Sequence, residues 1–487
     1  MFRKCNRKNS FLILPVIILS MAFVFTVCSN GSNLEEEEEA PNSGSSSGNS
    51  SGAALGGGGV VPVPVPIPTI SSWQELKAKI ETTGITTETI PLDPAGNWAA
   101  HATITVASGQ DITLTAASNV TITRDSGASF QANFFQVDAG GTLKLGTAGM
   151  GGSIILDGAV APNANDPIIY VDGTLEMNSS VTLRKNINPV SGGAVYIFAG
   201  GKFAMNGGEI SQNESQNDGG AVHLSGTSAV NYAEFTMMGG SIIGNKAQNG
   251  GGVISYYGKF KMSGGSISGN ETTSALGDGG GVYVYDSTFD MDGGDIYGNK
   301  AYRGGGVYNN SGDFNMNGGN VGPDNEAILG GGVAIGSFSG NFNMANNAAI
   351  KDNLAGSIVS PSGGQGGGVW IDNGGTFVMS GGVISGNRAV YAFGSGDGGG
   401  VYLEDPASLT KTGGTIHGVN PASLSPLADP CTEESSGDSN MIVDGGSGAF
   451  LPVIIYGHAV YSDSPSQRRV STAGSTMGTG NPQFWLE

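Results

Sequence analysis

Cysteine is nearly missing from this chain. Cys5, Cys28 and Cys431 are the three in 487 residues. Cys5 lies within an N-terminal basic and apolar segment and Cys28 at its end, which leaves Cys431 alone. That count excludes a disulfide framework and a cysteine-rich metal knuckle. Positive charge is scarce too: Lys and Arg number 21 against 41 acidic residues, a formal net charge of −20. Such a balance excludes nucleic acid as a partner and docking onto an anionic membrane face. Histidine occurs four times, as His101, His223, His417 and His458, with no metal-ligand spacing. His223, in the strand-like GAVHL, reads as surface decoration. No cofactor is expected. Helix is largely excluded by the density of glycine, 85 residues in all. Long apolar runs are limited to Phe11–Val27.

What the chain has instead is a repeat from about Phe203 to Asn420. Its pattern is Phe-x-Met-x-Gly-Gly-x-Ile-x-x-Asn, a variable segment, then Gly-Gly-(Gly/Ala)-Val. The first half recurs at Phe203/Met205/Ile210/Asn213, Phe235/Met237/Ile242/Asn245, Phe260/Met262/Ile267/Asn270, Phe289/Met291/Ile296/Asn299, Phe314/Met316/Val321/Asn325 and Phe377/Met379/Ile384/Asn387. Phe342/Met344/Ile350/Asn353 is one residue out of step, and Leu409/Ile416/Asn420 is a decayed copy. The second half is marked by Val195, Val222, Val253, Val282, Val307, Val333, Val369 and Val401. A period of roughly 25 to 36 residues with several short apolar pieces implies stacking. The apolar residues alternate, which is the strand period, and Gly-Gly supplies corners. One unit therefore reads as three short strands. Stacked units place Phe on Phe, Met on Met and Ile on Ile, with Asn as an amide ladder at a corner. Residues between Asn and Gly-Gly vary in length, from NKAYRG at 299–304 to NRAVYAFGSGDG at 387–398, and form the expected interaction side. The fold class is all-β: a parallel β-helix, right-handed, with a helical N-terminal cap. The competing β-propeller needs blades of about 40 residues and longer strands.

GNKAQNGGGV (Gly244–Val253), GNKAYRGGGV (Gly298–Val307) and GNRA…GGGV (Gly386–Val401) resemble the repeats of polymorphic outer-membrane proteins. The resemblance covers about 220 residues. It implies a surface-displayed, adhesin-like β-helix. Two departures stand out: Phe-x-Met is separate from Asn here, and no C-terminal membrane barrel is expected in the tail after Asn420.

The remaining segments fit an exported protein. Residues 1–27, with Arg3, Lys4, Arg7 and Lys8 ahead of the apolar run, read as a signal peptide. Its removal takes the chain to about −24. Cys28 resembles the acceptor of a lipoprotein signal, although Phe25-Thr26-Val27 departs from the usual Leu and small residue; plain secretion and an uncleaved anchor are the alternatives. Residues 28–70 read as a lipid-anchored tether, with the acidic Glu35–Glu39 and a stiff VVPVPVPIP stalk. Residues 71–100 form the N-terminal cap, with Trp73, Leu76 and Ile80 on one face of a helix over Ser71–Glu81. Residues 101–190 are irregular first coils, 191–420 the regular ones, and 421–487 a C-terminal cap or tail. A surface-exposed outer-membrane lipoprotein, monomeric, is the expected setting, with a host matrix protein or glycan as partner; a passive structural or antigenic surface protein is an alternative.

Candidate chemistry is sparse. Asp290, Asp292 and Asp295 are the closest acidic cluster and read as a solvated face, against the alternative of a polysaccharide lyase or hydrolase. Asp218, Asp278 and Asp397 precede Gly-Gly and read as turn residues rather than calcium ligands. No catalytic residue is assigned. The candidate ligand-binding residues are Tyr283, Tyr285, Tyr308 and Trp370, expected to face outward as an aromatic ladder.

Overall fold

The computed structural model describes residues 69–82, 84–125, 130–159, 166–356, 363–391, 398–404, 406–417, 441–444 and 460–462. The signal peptide, Cys28, the tether and the stalk lie outside the described residues, as do Asp397, Asn420 and Phe484–Leu486. What is described is a parallel β-solenoid of about 11 turns. Three sheets of 13, 12 and 12 strands run through it, and every coil pairs with the coils before and after it.

The repeat assigns each sheet its own residues. Phe-x-Met strands such as Gly258–Met262 and Ser287–Met291 build the first, with Phe260 opposite Phe289 and Met262 opposite Met291. Ile strands build the second, with Ile242 opposite Ile267, and Val strands the third, with Val253 opposite Val282. Inside, Phe203, Phe235, Phe260, Phe289, Phe314, Phe342 and Phe377 form one stack with ring centroids 4.5 to 4.9 Å apart. That spacing equals the distance between hydrogen-bonded strands, so ring stacking and backbone pairing reinforce each other. The corner after Met needs glycine: Gly294 has φ +89°, and a Cβ there would sit 2.6 Å from Met262 Cε of the preceding coil.

The irregular stretch from Ala102 to Ile187 joins the same sheets, with Leu143 opposite Leu175 and Leu175 opposite Phe203. The segment after Asn is more ordered than the sequence suggests. It opens with a short strand, such as Lys246–Ala247 or Glu326–Ala327, and these strands add two sheets of 4. Their alanines contribute: Ala247, Ala327, Ala355 and Ala389 are buried, as are Asn188 and Ser215 at the same place in earlier coils. Helix α1 spans Trp73–Ile80, and its N-cap Ser72 accepts from the Glu75 amide at 3.2 Å. Trp73, Leu76 and Ile80 are buried, with Trp73 edge-on to Phe135 at 5.3 Å and its Nε1 donating to Ala102 O at 2.7 Å.

The asparagines are fully buried and linked from coil to coil. Asn245 Nδ2 donates to Asn270 Oδ1 at 3.0 Å, Asn270 to Asn299 at 3.0 Å and Asn299 to Asn325 at 3.0 Å. Each Nδ2 also donates backwards, as Asn299 does to Ile267 O at 3.0 Å. Replacing Asn299 with Ala strands the Asn270 donors, an expected loss of roughly 2–4 kcal/mol. Asn299→Asp is expected to cost more at pH 7, since a carboxylate would face Ile267 O and Asn325 Oδ1 without a proton, and to recover as acid protonates it. Urea midpoints at pH 7 and pH 5 check this; an Asp variant as stable as wild type at pH 7 would show that the rung carries little.

Candidate functional site

The aromatic ladder exists, but most of it is not at the surface. Backbone register aligns Tyr170, Tyr196, His223, Ile254, Tyr283, Tyr308, Ala334, Trp370 and Tyr402 in one column on the outer side of the Val sheet. Tyr283, Tyr308 and Trp370 share a column, as expected. They are nevertheless buried, at 8%, 1% and 3% exposure, which corrects the expectation of an open face. Together with Ile254, Ala334 and Tyr402 they form a second apolar cluster, separate from the interior.

The cover comes from the segment just before Gly-Gly-Gly, which folds across the tyrosines. Arg303 lies 4.6 Å over the Tyr308 ring and is held by two bonds to Asp278, at 2.8 and 2.7 Å. Leu329 packs on the same cluster. Asn310 bridges two rings: its Nδ2 donates to the Tyr283 hydroxyl at 3.2 Å, and its Oδ1 accepts from the Tyr308 hydroxyl at 3.0 Å. Burial pushes the Tyr283 hydroxyl up to about 12 and raises Tyr308 as well, so both stay neutral. Of the four candidates, Tyr285 alone is half-exposed; it meets Tyr256 and Tyr257 edge-on at 5.5 and 6.3 Å.

Sequence reading passed over the N-terminal part of this face. Tyr170 stacks on Tyr196 at 5.3 Å and 11°, and Tyr196 on His223 at 4.8 Å and 6°. Phe198, exposed, lies beside them. Rings stacked along the rod present edges to solvent, because their faces are occupied by each other. His223 is also a correction: far from decorating the surface, it is 5% exposed, with Nδ1 lacking a hydrogen-bond partner. Asp138 and Asp172 follow paired strands on consecutive coils, and burial together with the nearby Asp138 charge raises the Asp172 carboxyl. Their shared Val-Asp at the end of an alternating apolar run, in VDAG and VDGT, is the signal that would have found them.

The acidic candidates are coil-to-coil clasps. Asp290, Asp292 and Asp295 accept from Asn315, Asn317 and Asn320 of the next coil at 2.8, 3.1 and 2.7 Å. Asp218 accepts from Asn249 at 3.0 Å and from the Tyr256 hydroxyl at 3.2 Å, and Asp278 is taken by Arg303. Among the described residues no group of three or more His, Cys, Asp or Glu side chains is placed to hold a metal, and no helix is long and apolar enough to cross a membrane. No protein-family profile, curated protein or solved structure matches the chain.

Two outcomes follow from this burial. Tyr308→Ala is expected to cost about 3–5 kcal/mol, as a buried aromatic does, whereas Tyr285→Ala should cost much less; urea denaturation compares them. Burial holds the His223 imidazole down at about 3, against an ordinary 6.5. Between those values the unfolded chain takes up a proton that the folded chain refuses, so this residue lowers stability as pH falls from about 6.5. The loss is at most about 1.4 kcal/mol per pH unit. Stability measured from pH 7 to pH 4 should fall less steeply in His223→Phe; an unchanged slope would mean His223 titrates normally.

Proposed function

We propose that this is an adhesin-like surface protein: an exported chain, lipidated at Cys28, that holds a right-handed β-helical rod outside the cell and binds a matrix protein or glycan. One observation carries the reading. The coils keep register through every Phe, Ile, Asn and Val position while the segments after Asn change length freely, a rigid scaffold presenting variable loops. The likeness to polymorphic outer-membrane repeats and the acidic balance agree with it. In this reading α1 caps the first coil, whose strand edges would otherwise be open.

The binding face moves from the buried Tyr283, Tyr308 and Trp370 to what is accessible along the same side: Tyr257 and Tyr285, and Phe198 three coils earlier. The purified chain is expected to bind immobilised fibronectin, laminin or mucin saturably, and a Phe198→Ser/Tyr257→Ser/Tyr285→Ser variant to bind about tenfold more weakly at a temperature well below the Tm of both. Absence of saturable binding to all three would sink the adhesin. Labelled palmitate should enter the wild-type chain and not Cys28→Ser; equal labelling would remove the anchor. A second reading, an extracellular polysaccharide lyase or hydrolase, draws on the adjacent Asp138 and Asp172 carboxylates. Polysaccharide cleavage lost in Asp172→Asn would favour it.

A further inference from the structure

The repeat is broken at one point on the Ile sheet. Three positions carry Ile296 to Asn299 and Ile350 to Asn353, but four carry Val321 to Asn325. The strand shortens to Asn320–Val321, between Asp295–Tyr297 before it and Ala349–Lys351 after it. Register aligns Ile296, Val321 and Ile350, so the next outward position reads Tyr297, Gly322, Lys351. Gly322 has φ +125°, and a Cβ there would collide with the Lys351 carbonyl oxygen; no side chain fills the gap. The result is an open groove of about 370 Å3 with Tyr297 and Lys351 as walls, Pro323 beside the gap, and Asp295, Asn320 and Asp352 in its lining. Small-molecule sites span roughly 300–1,000 Å3.

Three features define what fits. Tyr297 is 39% exposed, follows Ser268 in its column, and makes no ring or cation contact with a described residue, unlike the self-stacked rings of the Val sheet. Lys351 makes no ion pair among the described residues, whereas Lys202, Lys246, Lys261 and Lys300 each hold an acid on the next coil. Asp295 and Asn320 are joined at 2.7 Å, a planar acceptor next to a planar donor. Acceptors and donors thus surround one free aromatic face. Anions are disfavoured by two carboxylates against one ammonium, and by the net charge of the chain. A compact cation is disfavoured by Lys351 itself. The geometry points to a binding site for a neutral pyranose residue of a glycan. The sugar's C–H face lies against Tyr297, and adjacent hydroxyls donate to Asp295 or Asp352 and accept from Asn320 or Lys351.

This site is on a different sheet from Phe198, Tyr257 and Tyr285, so it stands or falls separately from the adhesin face. The test is titration of the full chain with glucose, galactose, mannose, N-acetylglucosamine and their short oligomers, followed by saturation-transfer NMR and calorimetry. At least one of these sugars should bind saturably. Tyr297→Ala should weaken it about tenfold, Tyr297→Phe should retain it, and Lys351→Ala should weaken it severalfold, all with unchanged Tm because these side chains are exposed. Galacturonate should bind more weakly than galactose. No binding across the panel, binding indifferent to Tyr297→Ala, or a preference for galacturonate would each overturn the assignment.

Discussion

A buried side-chain amide has two protons to give and a carbonyl to satisfy, and leaving any of them unpaired is costly. In this chain the asparagine after each Ile strand meets that demand through its neighbours. Its Nδ2 donates forward to the next Asn and backward to the carbonyl of the preceding coil. Such a chain of bonds has a direction, and therefore two unlike ends. At the N-terminal end Asn186 Oδ1 has no earlier asparagine to accept from. Arg124, 2% exposed, supplies the missing donor through Nη2 at 3.0 Å. Its guanidinium sits 4.8 Å over Phe134 and 5.3 Å over Phe130. Burial lowers its pKa to about 10, which still leaves it charged at neutral pH. A cation thus closes the end where amide oxygens point outward, as one would at a helix C-terminus.

Stacking at strand spacing imposes a rule on the outer surface as well: each residue's nearest neighbours are its counterparts one coil away. Aromatic rings in such a column stack on each other, which is why Tyr170, Tyr196 and His223 spend their faces internally. Carboxylates in such a column would repel at that distance. On the Phe-x-Met sheet the chain alternates them with amides and ammonium groups: Asp290 with Asn315 and then Asn343, Asp313 with Asn341, Lys202 with Glu234. The acidic cluster Asp290, Asp292 and Asp295 is therefore partnered residue by residue by the amides of the next coil.

The coil was legible because Phe, Met, Ile, Asn and Val recur at positions where period-two alternation leaves no choice of side. Helix α1 was legible from Ser72, Glu75 and the Trp73, Leu76, Ile80 face. Strand alternation also placed Tyr283, Tyr308 and Trp370 outside the Val side correctly. It could not show their burial, since that depends on Arg303 and Leu329 arriving from a segment whose path alternation does not describe. The same blindness hid His223 beneath its neighbours. Nothing local in NVTITRD sets Arg124 apart; only the closing of coils 62 residues apart brings it to Asn186.

The ladder also explains where a binding site can arise without loss of the fold. An extra residue between Ile and Asn would shift every later strand if the coil were held by strand pairing alone. Here Asn325 returns to its rung, donating to Ile296 O at 2.8 Å and to Asn353 Oδ1 at 2.9 Å, and the following coil resumes with Ile350 opposite Val321. The surplus is expelled outward as Gly322-Pro323-Asp324. A gap then opens in a surface column whose neighbours would otherwise contact one another. Tyr297 loses the partner that would cover its ring, and Lys351 faces it across the space. In a solenoid, a free aromatic face marks a missing neighbour, so departures from the repeat are where recognition of another molecule becomes physically available.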